Sequence, residues 1–267
     1  MKRLSKTGIE YGDLNWNFYP GCLHKPQGIC SVPHCWAEGM SKRHLQDFHK
    51  PFLIPELLLA PLSVKKPSVI LVNFMGDLFG DWVNPGMEVN PSDEGPIPAG
   101  KTLKEVVFDV VKLCPQHQFL FLTKAPWNYK RWSDFPDNAW LGATVANKEA
   151  MVKALYSLTE VKAGGRWLSV EPMYGPVVPA VWPAEWDEIR WVVIGAQGNP
   201  VKYPEVDWVE HLVMESFKSG KRIWLKHNLA PALPPTLPFY VPPKVFPAKG
   251  AFKMLYRQEM PKAVDDA

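Results

Sequence analysis

At 267 residues the chain is long enough for one large α/β domain or two small ones, and 46% hydrophobic with 21% charged residues is an ordinary globular balance. The net charge of +3 comes from scattered Lys and Arg, so charge alone argues for no nucleic-acid partner beyond a local groove. The basic start has no apolar run behind it and no apolar segment reaches bilayer length, so the expected setting is the cytoplasm, with no membrane partner.

Seven short apolar runs read as strands in chain order: 14–20, 68–74, 118–124, 139–145, 166–172, 190–196 and 221–227. Continuous Val, Ile, Leu and Trp suits strands buried on both faces, as in a parallel sheet. Amphipathic helices fall between them. After a capping Thr102, Leu103, Val106, Val107 and Val110 share a face; after a capping Asn147, so do Met151, Ala154, Leu155 and Leu158. A third helix starts at Asp207, turns Val209, Leu212, Val213 and Phe217 inward, and stops at Gly220. Such alternation implies right-handed βαβ crossovers, in an open doubly wound sheet or a full or partial (β/α) barrel.

Two segments break the rhythm. Residues 84–100 form a Pro/Gly-rich insertion that predicts a loop or flap near the site. Residues 230–250 carry seven prolines, which exclude regular helix or central strand and predict an extended arm draped on the domain. The expected organisation is one (β/α) domain over 1–228 and a Pro-rich arm over 229–267.

Parallel α/β proteins do their chemistry at the carboxyl ends of strands. Just past the runs stand Cys22, Gly76, Asp77, Thr123, Lys124, Thr144, Asn147, Glu171, Gln197 and Lys226. Three of the four cysteines lie within "CLHKPQGICSVPHC", spaced C-x7-C-x4-C ahead of a helix beginning near Trp36. In a reducing compartment such a cluster suggests ligands rather than disulfides. Cys22, Cys30 and Cys35 could hold three irons of a four-iron cluster and leave the fourth iron open. With His24 or His34 they could equally form a Cys₃His zinc site. The spacing alone leaves both open, and Cys114 reads as a small buried hydrophobe.

The run "IEYGDLNWNFYPGC…C…CWAEGMSKR" resembles a phage-associated family of unknown function. The similarity continues through "VNFMGDLFGDWV", "CPQHQFLFLTKAPWNYKRW", "AWLGATVANKEA", "RWLSVEPMYGPV", "IRWVVIGAQGNP" and "IWLKHN". That family looks like a branch of the radical S-adenosylmethionine (SAM) superfamily. The resemblance implies a full or partial (β/α) barrel with a mainly parallel sheet and a 4Fe-4S cluster on Cys22, Cys30 and Cys35. SAM would chelate the open iron, an electron donor would reduce the cluster, and the 5′-deoxyadenosyl radical released would act on an unknown substrate. The same resemblance puts Met75, Gly76 and Asp77 at the SAM ammonium. Thr144 and Asn147 fall at its ribose or carboxylate, and Glu171 and Gln197 at the adenosine or substrate. Departures from the family pattern are the wide cysteine spacing, Ala146 and Gln197 where acids are usual, and "KHNL" late in the chain.

A different reading is a non-catalytic module, stabilised by zinc or iron–sulfur, that binds nucleic acid. Its motive is Trp127, Tyr129 and Trp132 interleaved with Lys124, Lys130 and Arg131, since aromatics stack bases and cations meet phosphates. The plainer explanation is a helix packing its aromatic rings inward. A hydrolase ranks last: the chain has no G-x-S-x-G or P-loop, and His117 reads as structural.

Overall fold

The computed structural model describes residues 3–43, 47–91, 96–233 and 259–260. Its strands are β1 (Ser5–Lys6), β2 (Leu14–Trp16), β3 (Val69–Val72), β4 (Glu88–Val89), β5 (Lys101–Thr102), β6 (Gln118–Thr123), β7 (Ala139–Thr144), β8 (Gly165–Val170), β9 (Trp191–Ile194) and β10 (Arg222–Leu225). The helices are α1 (Trp36–Arg43), α2 (Leu103–Leu113), α3 (Lys148–Thr159) and α4 (Val206–Lys218). Each of the seven predicted runs contains a strand. Eight strands form one sheet in the order β1-β2-β3-β6-β7-β8-β9-β10, parallel throughout except for the β1–β2 pair.

From β2 onward each sheet strand lies beside its successor in the chain. The order never reverses, so the sheet is singly wound rather than doubly wound, and it is open. Strand alternation sorts its side chains into two clusters. Ile70, Phe119, Leu141, Leu168, Val192 and Ile223 join the buried residues of α2, α3 and α4 in the main core. Leu71, Leu120, Trp140, Trp167, Trp191, Val193 and Trp224 face the other way, with no helical partner among them.

Tyr11, in the turn before β2, covers that second face. Its ring meets Trp191 at 5.3 Å, Trp167 at 5.9 Å and Trp224 at 6.1 Å. A side chain on the adjacent Gly12 would strike Leu71 of β3 at 2.6 Å. A flat sheet would hold β3 and β10 about 24 Å apart, so one turn touching both means that the sheet curls around it. Glu10 extends the bridge, accepting the backbone N–H of His227 just past β10.

The helix caps follow the sequence. Thr102 and Glu105 make a reciprocal capping box on α2, and the Asn147 side chain accepts from Ala150 N on α3. α4 differs: it begins at Val206, and its buried stripe is Val209, Leu212, Val213 and Ser216, leaving Phe217 exposed. The stripe ends at Ser216, and one further residue turns about 100° away from the core. Gly220 stops the chain with φ +67° as expected. From the 84–100 insertion, β4 pairs with β5 just beyond it, and Val89 and Ile97 are buried in the main core. Most of the Pro-rich arm lies outside the described residues; Glu259 returns to β10, its N–H donating to Ile223 O. Among the described residues, no helix is long and apolar enough to cross a membrane.

Gly164 tests this packing. A Cβ there would lie 1.6 Å from the Asp137 carbonyl oxygen, which is backbone and cannot swing aside, whereas one at Gly8 meets nothing within 4 Å. Gly164→Ala is expected to lose about 1–3 kcal/mol or more in chemical denaturation, and Gly8→Ala to stay within about 0.5 kcal/mol.

Candidate metal centre at the strand ends

The cysteine loop leaves β2 and is fastened to the loop after β3. Gly21 N–H donates to Met75 O (3.1 Å), and Gly21 and Gly76 pair as an isolated parallel bridge. A Cβ on Gly76 would fall 2.5 Å from Gly21 O, and Gly21 itself has φ +101°, so both positions demand glycine. Asn73 accepts the Tyr19 N–H and Asn17 accepts the Met75 N–H, completing the knot.

Beyond Cys22 the chain makes one tight turn. Gln27 N–H donates to Leu23 O, Gly28 N–H to Lys25 O and Ile29 N–H to His24 O, with Gly28 at φ +73°. This is a Schellman arrangement, and it reverses the chain so that Cys30 N–H also reaches His24 O. Lys25 Nζ then donates to Pro33 O (2.7 Å), tying the turn to the segment before Cys35.

Asp77 is the electrostatic centre of this region. Only 4% exposed, it accepts from His24 Nε2 (2.7 Å), Thr123 Oγ1 (2.9 Å), Lys124 N (2.9 Å) and Phe79 N (3.0 Å). Burial pulls its pKa up, but the hydrogen bond and charge of His24, with Lys124 N–H and Thr123, pull it below the usual carboxylate value. His24 is itself 1% exposed, packs edge-to-face on Trp82 and leaves Nδ1 buried without a partner.

All three loop thiols are free and half-buried. Burial, then the nearby Asp77 charge, pushes the Cys22 thiol up to about 12, while the His24 backbone N–H opposes the rise. Cys35 and Cys30 add smaller contributions in the same direction. Among the described residues, no three His, Cys, Asp or Glu side chains are gathered tightly enough for a single metal ion. Cys114 is buried at the end of α2, as expected of a small hydrophobe.

Across the mouth, Glu171 accepts both contacts of Lys226 Nζ (2.6 and 2.7 Å) and one from Asn228 (3.3 Å). A Cβ on Gly195 would strike both side chains, so the ion pair lies over that glycine. Gln197 accepts from the Tyr174 hydroxyl and donates to Pro200 O (2.7 Å). Burial and then the Cys30 charge raise the Tyr174 pKa. Sequence reasoning passed over Tyr174; its signal was an aromatic three residues beyond Glu171, itself just past the end of β8.

Other expected residues have local employment. Thr144 ends β7 half-buried, and Asn147 is spent as a helix cap. Lys226 is committed to Glu171. In the 124–132 segment Tyr129 and Trp132 are fully buried in a 3₁₀ turn and Arg131 donates to Val83 O. Trp127 carries Lys153 over its ring at 3.9 Å. His117 is buried between Ser68 N and Val64 O, a structural role.

Fold and site together define an open, singly wound parallel α/β protein with a cysteine loop at the carboxyl ends of its strands. The chain belongs to DUF5131, a family of proteins of unknown function, whose family match covers residues 6–228. No curated protein and no solved structure matches it.

Thiol reactivity checks the electrostatics. Only the thiolate is nucleophilic, so in chelator-treated protein Cys22 alkylation is expected to be slow at pH 7 and to rise about tenfold per pH unit toward 12. Asp77→Asn removes a charge that raises this pKa, so Cys22 labelling, quantified by peptide mass spectrometry, is expected to accelerate.

Proposed function

We propose that the chain is an iron–sulfur enzyme of the phage-associated, radical-SAM-like branch, acting on an unidentified substrate. Cys22, Cys30 and Cys35 would hold the 4Fe-4S cluster. The observation that carries this reading is the trio of free thiols on one strand-end loop fastened to the Met75–Asp77 turn. The donor set suits a cluster, which spreads its thiolates over several irons, better than tetrahedral zinc, which draws all its ligands to about 2.3 Å from one point. When bound, the reduced cluster supplies the electron that cleaves the SAM sulfonium.

The chain's own residues bind, orient and exclude water. Gly21 and Gly76 allow close backbone approach at the cysteine loop, and the Met75 carbonyl, already accepting from Gly21, keeps one lone pair for a SAM ammonium. Asp77 has four donors already, so its task is to hold loops rather than ligand. Thr144, Glu171 with Lys226, and Tyr174 with Gln197 are left to orient the nucleoside and the substrate. The aromatic layer of Tyr11, Trp167, Trp191 and Trp224 fills the helix-free face and keeps water out from beneath. An electron donor is then required, and a reducing cytoplasm would keep the thiols available. The nucleic-acid module has less support, because Tyr129 and Trp132 are in the core and unavailable for stacking.

Anaerobic reconstitution with iron and sulfide is expected to give a brown protein that yields 5′-deoxyadenosine and methionine from SAM under dithionite. Alanine at Cys22, Cys30 or Cys35 abolishes both colour and cleavage. A colourless protein holding stoichiometric zinc overturns the reading.

A further inference from the structure

We infer that Asp77 and His24 form a clamp that presets the cysteine loop for its metal, with His24 a positioning residue and Asp77 the fixed charge beside the centre. The inference rests on the reading that the three cysteines hold metal, and it assigns Asp77 a different task from ligand binding. Two sets of bonds converge on His24. Its ring is fixed by Nε2 donating to Asp77 at 2.7 Å. Its carbonyl accepts the N–H groups of Ile29 and Cys30 at 2.8 and 3.1 Å. One residue, two positions beyond Cys22, therefore holds the Cys30 end of the turn, and a buried carboxylate holds that residue.

Asp77 in turn is held by elements outside the loop. Thr123 Oγ1 and Lys124 N–H come from the end of β6, and Thr123 Oγ1 also accepts the Ala125 N–H. The chain of bonds runs from β6 through Asp77 and His24 to Cys30. Outer partners of this kind orient ligands and tune a metal, and losing one typically weakens metal retention about 10- to 100-fold. The unpartnered, buried Nδ1 of His24 supplies the discriminating variant. In His24→Gln the amide nitrogen takes the place of Nε2 and keeps the bond to Asp77, while nothing replaces Nδ1.

The test compares wild type, His24→Ala, His24→Gln and Asp77→Asn in the full chain. In metal-free protein, hydrogen exchange at the Ile29 and Cys30 amides is expected to speed at least tenfold in His24→Ala and to remain near wild type in His24→Gln. After reconstitution, His24→Ala is expected to retain iron about 10- to 100-fold less tightly against a chelator, with His24→Gln close to wild type. Asp77→Asn is expected to shift the cluster midpoint potential positive, since removing a nearby anion favours the more negative reduced state. Equal exchange and iron retention in all four proteins overturns the clamp, as does an unshifted potential in fully loaded Asp77→Asn. Failure of His24→Gln alongside His24→Ala overturns the positioning role and makes Nδ1 a ligand instead. Should wild type load no iron, the functional reading fails while the metal-free exchange still decides the clamp.

Discussion

One buried carboxylate organises the mouth of this protein. Moving an ion of that size into a low-dielectric interior carries an idealised cost of about 20 kcal/mol, recovered only when hydrogen bonds surround it. Asp77 meets the condition with four donors drawn from three places: the cysteine loop, its own turn after β3, and the end of β6. None of the three can shift without stranding the charge, so three neighbouring strand ends keep fixed relative positions. The glycine contact of Gly21 with Gly76 adds steric rigidity at the same spot.

Beneath the mouth, aromatic packing does the complementary work. Helices cover one face of the sheet, and the opposite face would be wet were it not for Tyr11 and the four tryptophans of β7 to β10. Large rings need small neighbours on the adjacent strand. Gly142 lies across from Trp167 and Gly165 across from Trp140, and a Cβ at either glycine would enter the indole. Their alternation seats four indoles on one face of a sheet whose strands are about 4.8 Å apart. The ring layer fills this face of the sheet with apolar side chains, so the polar groups stand at the strand ends.

Strands and helices were legible because their signals are local. Apolar runs, the Thr102 and Asn147 caps and the Gly220 stop each depend on a few adjacent residues. The sequence puts polar residues at the strand ends, but which of them pair with one another depends on contacts across the chain. Asp77 was visible as a strand-end acid, but its four donors come from residues 24, 79, 123 and 124. Glu10 and Tyr11 precede the first sheet strand of the parallel set, yet they complete the far side of the mouth through His227 and Trp224. The 124–132 segment misleads for the same reason: its pattern of rings and cations is what a base-stacking surface needs, and only burial reveals that two rings are core.

The wide cysteine spacing has a local explanation that bears on the site. Seven residues between Cys22 and Cys30 would span about 25 Å if extended, far more than two ligands of one centre can tolerate. The Schellman turn with Gly28 at its positive-φ position folds that length back and brings Cys30 N–H onto His24 O. Lys25 then spans the next interval by reaching Pro33 O. Added length is therefore absorbed as a self-contained turn and need not displace the sulfurs. Gln197 follows similar logic. Its amide accepts from Tyr174 and donates to Pro200 O, a pairing that a carboxylate, which can only accept, could not make. The amide trades a charge for closure of the 197–202 turn, where Gln197 and Lys202 pair through their backbones. On the same turn Lys202 places its Nζ 5.2 Å from the centre of the Tyr174 ring, so one tyrosine meets both ends of the turn.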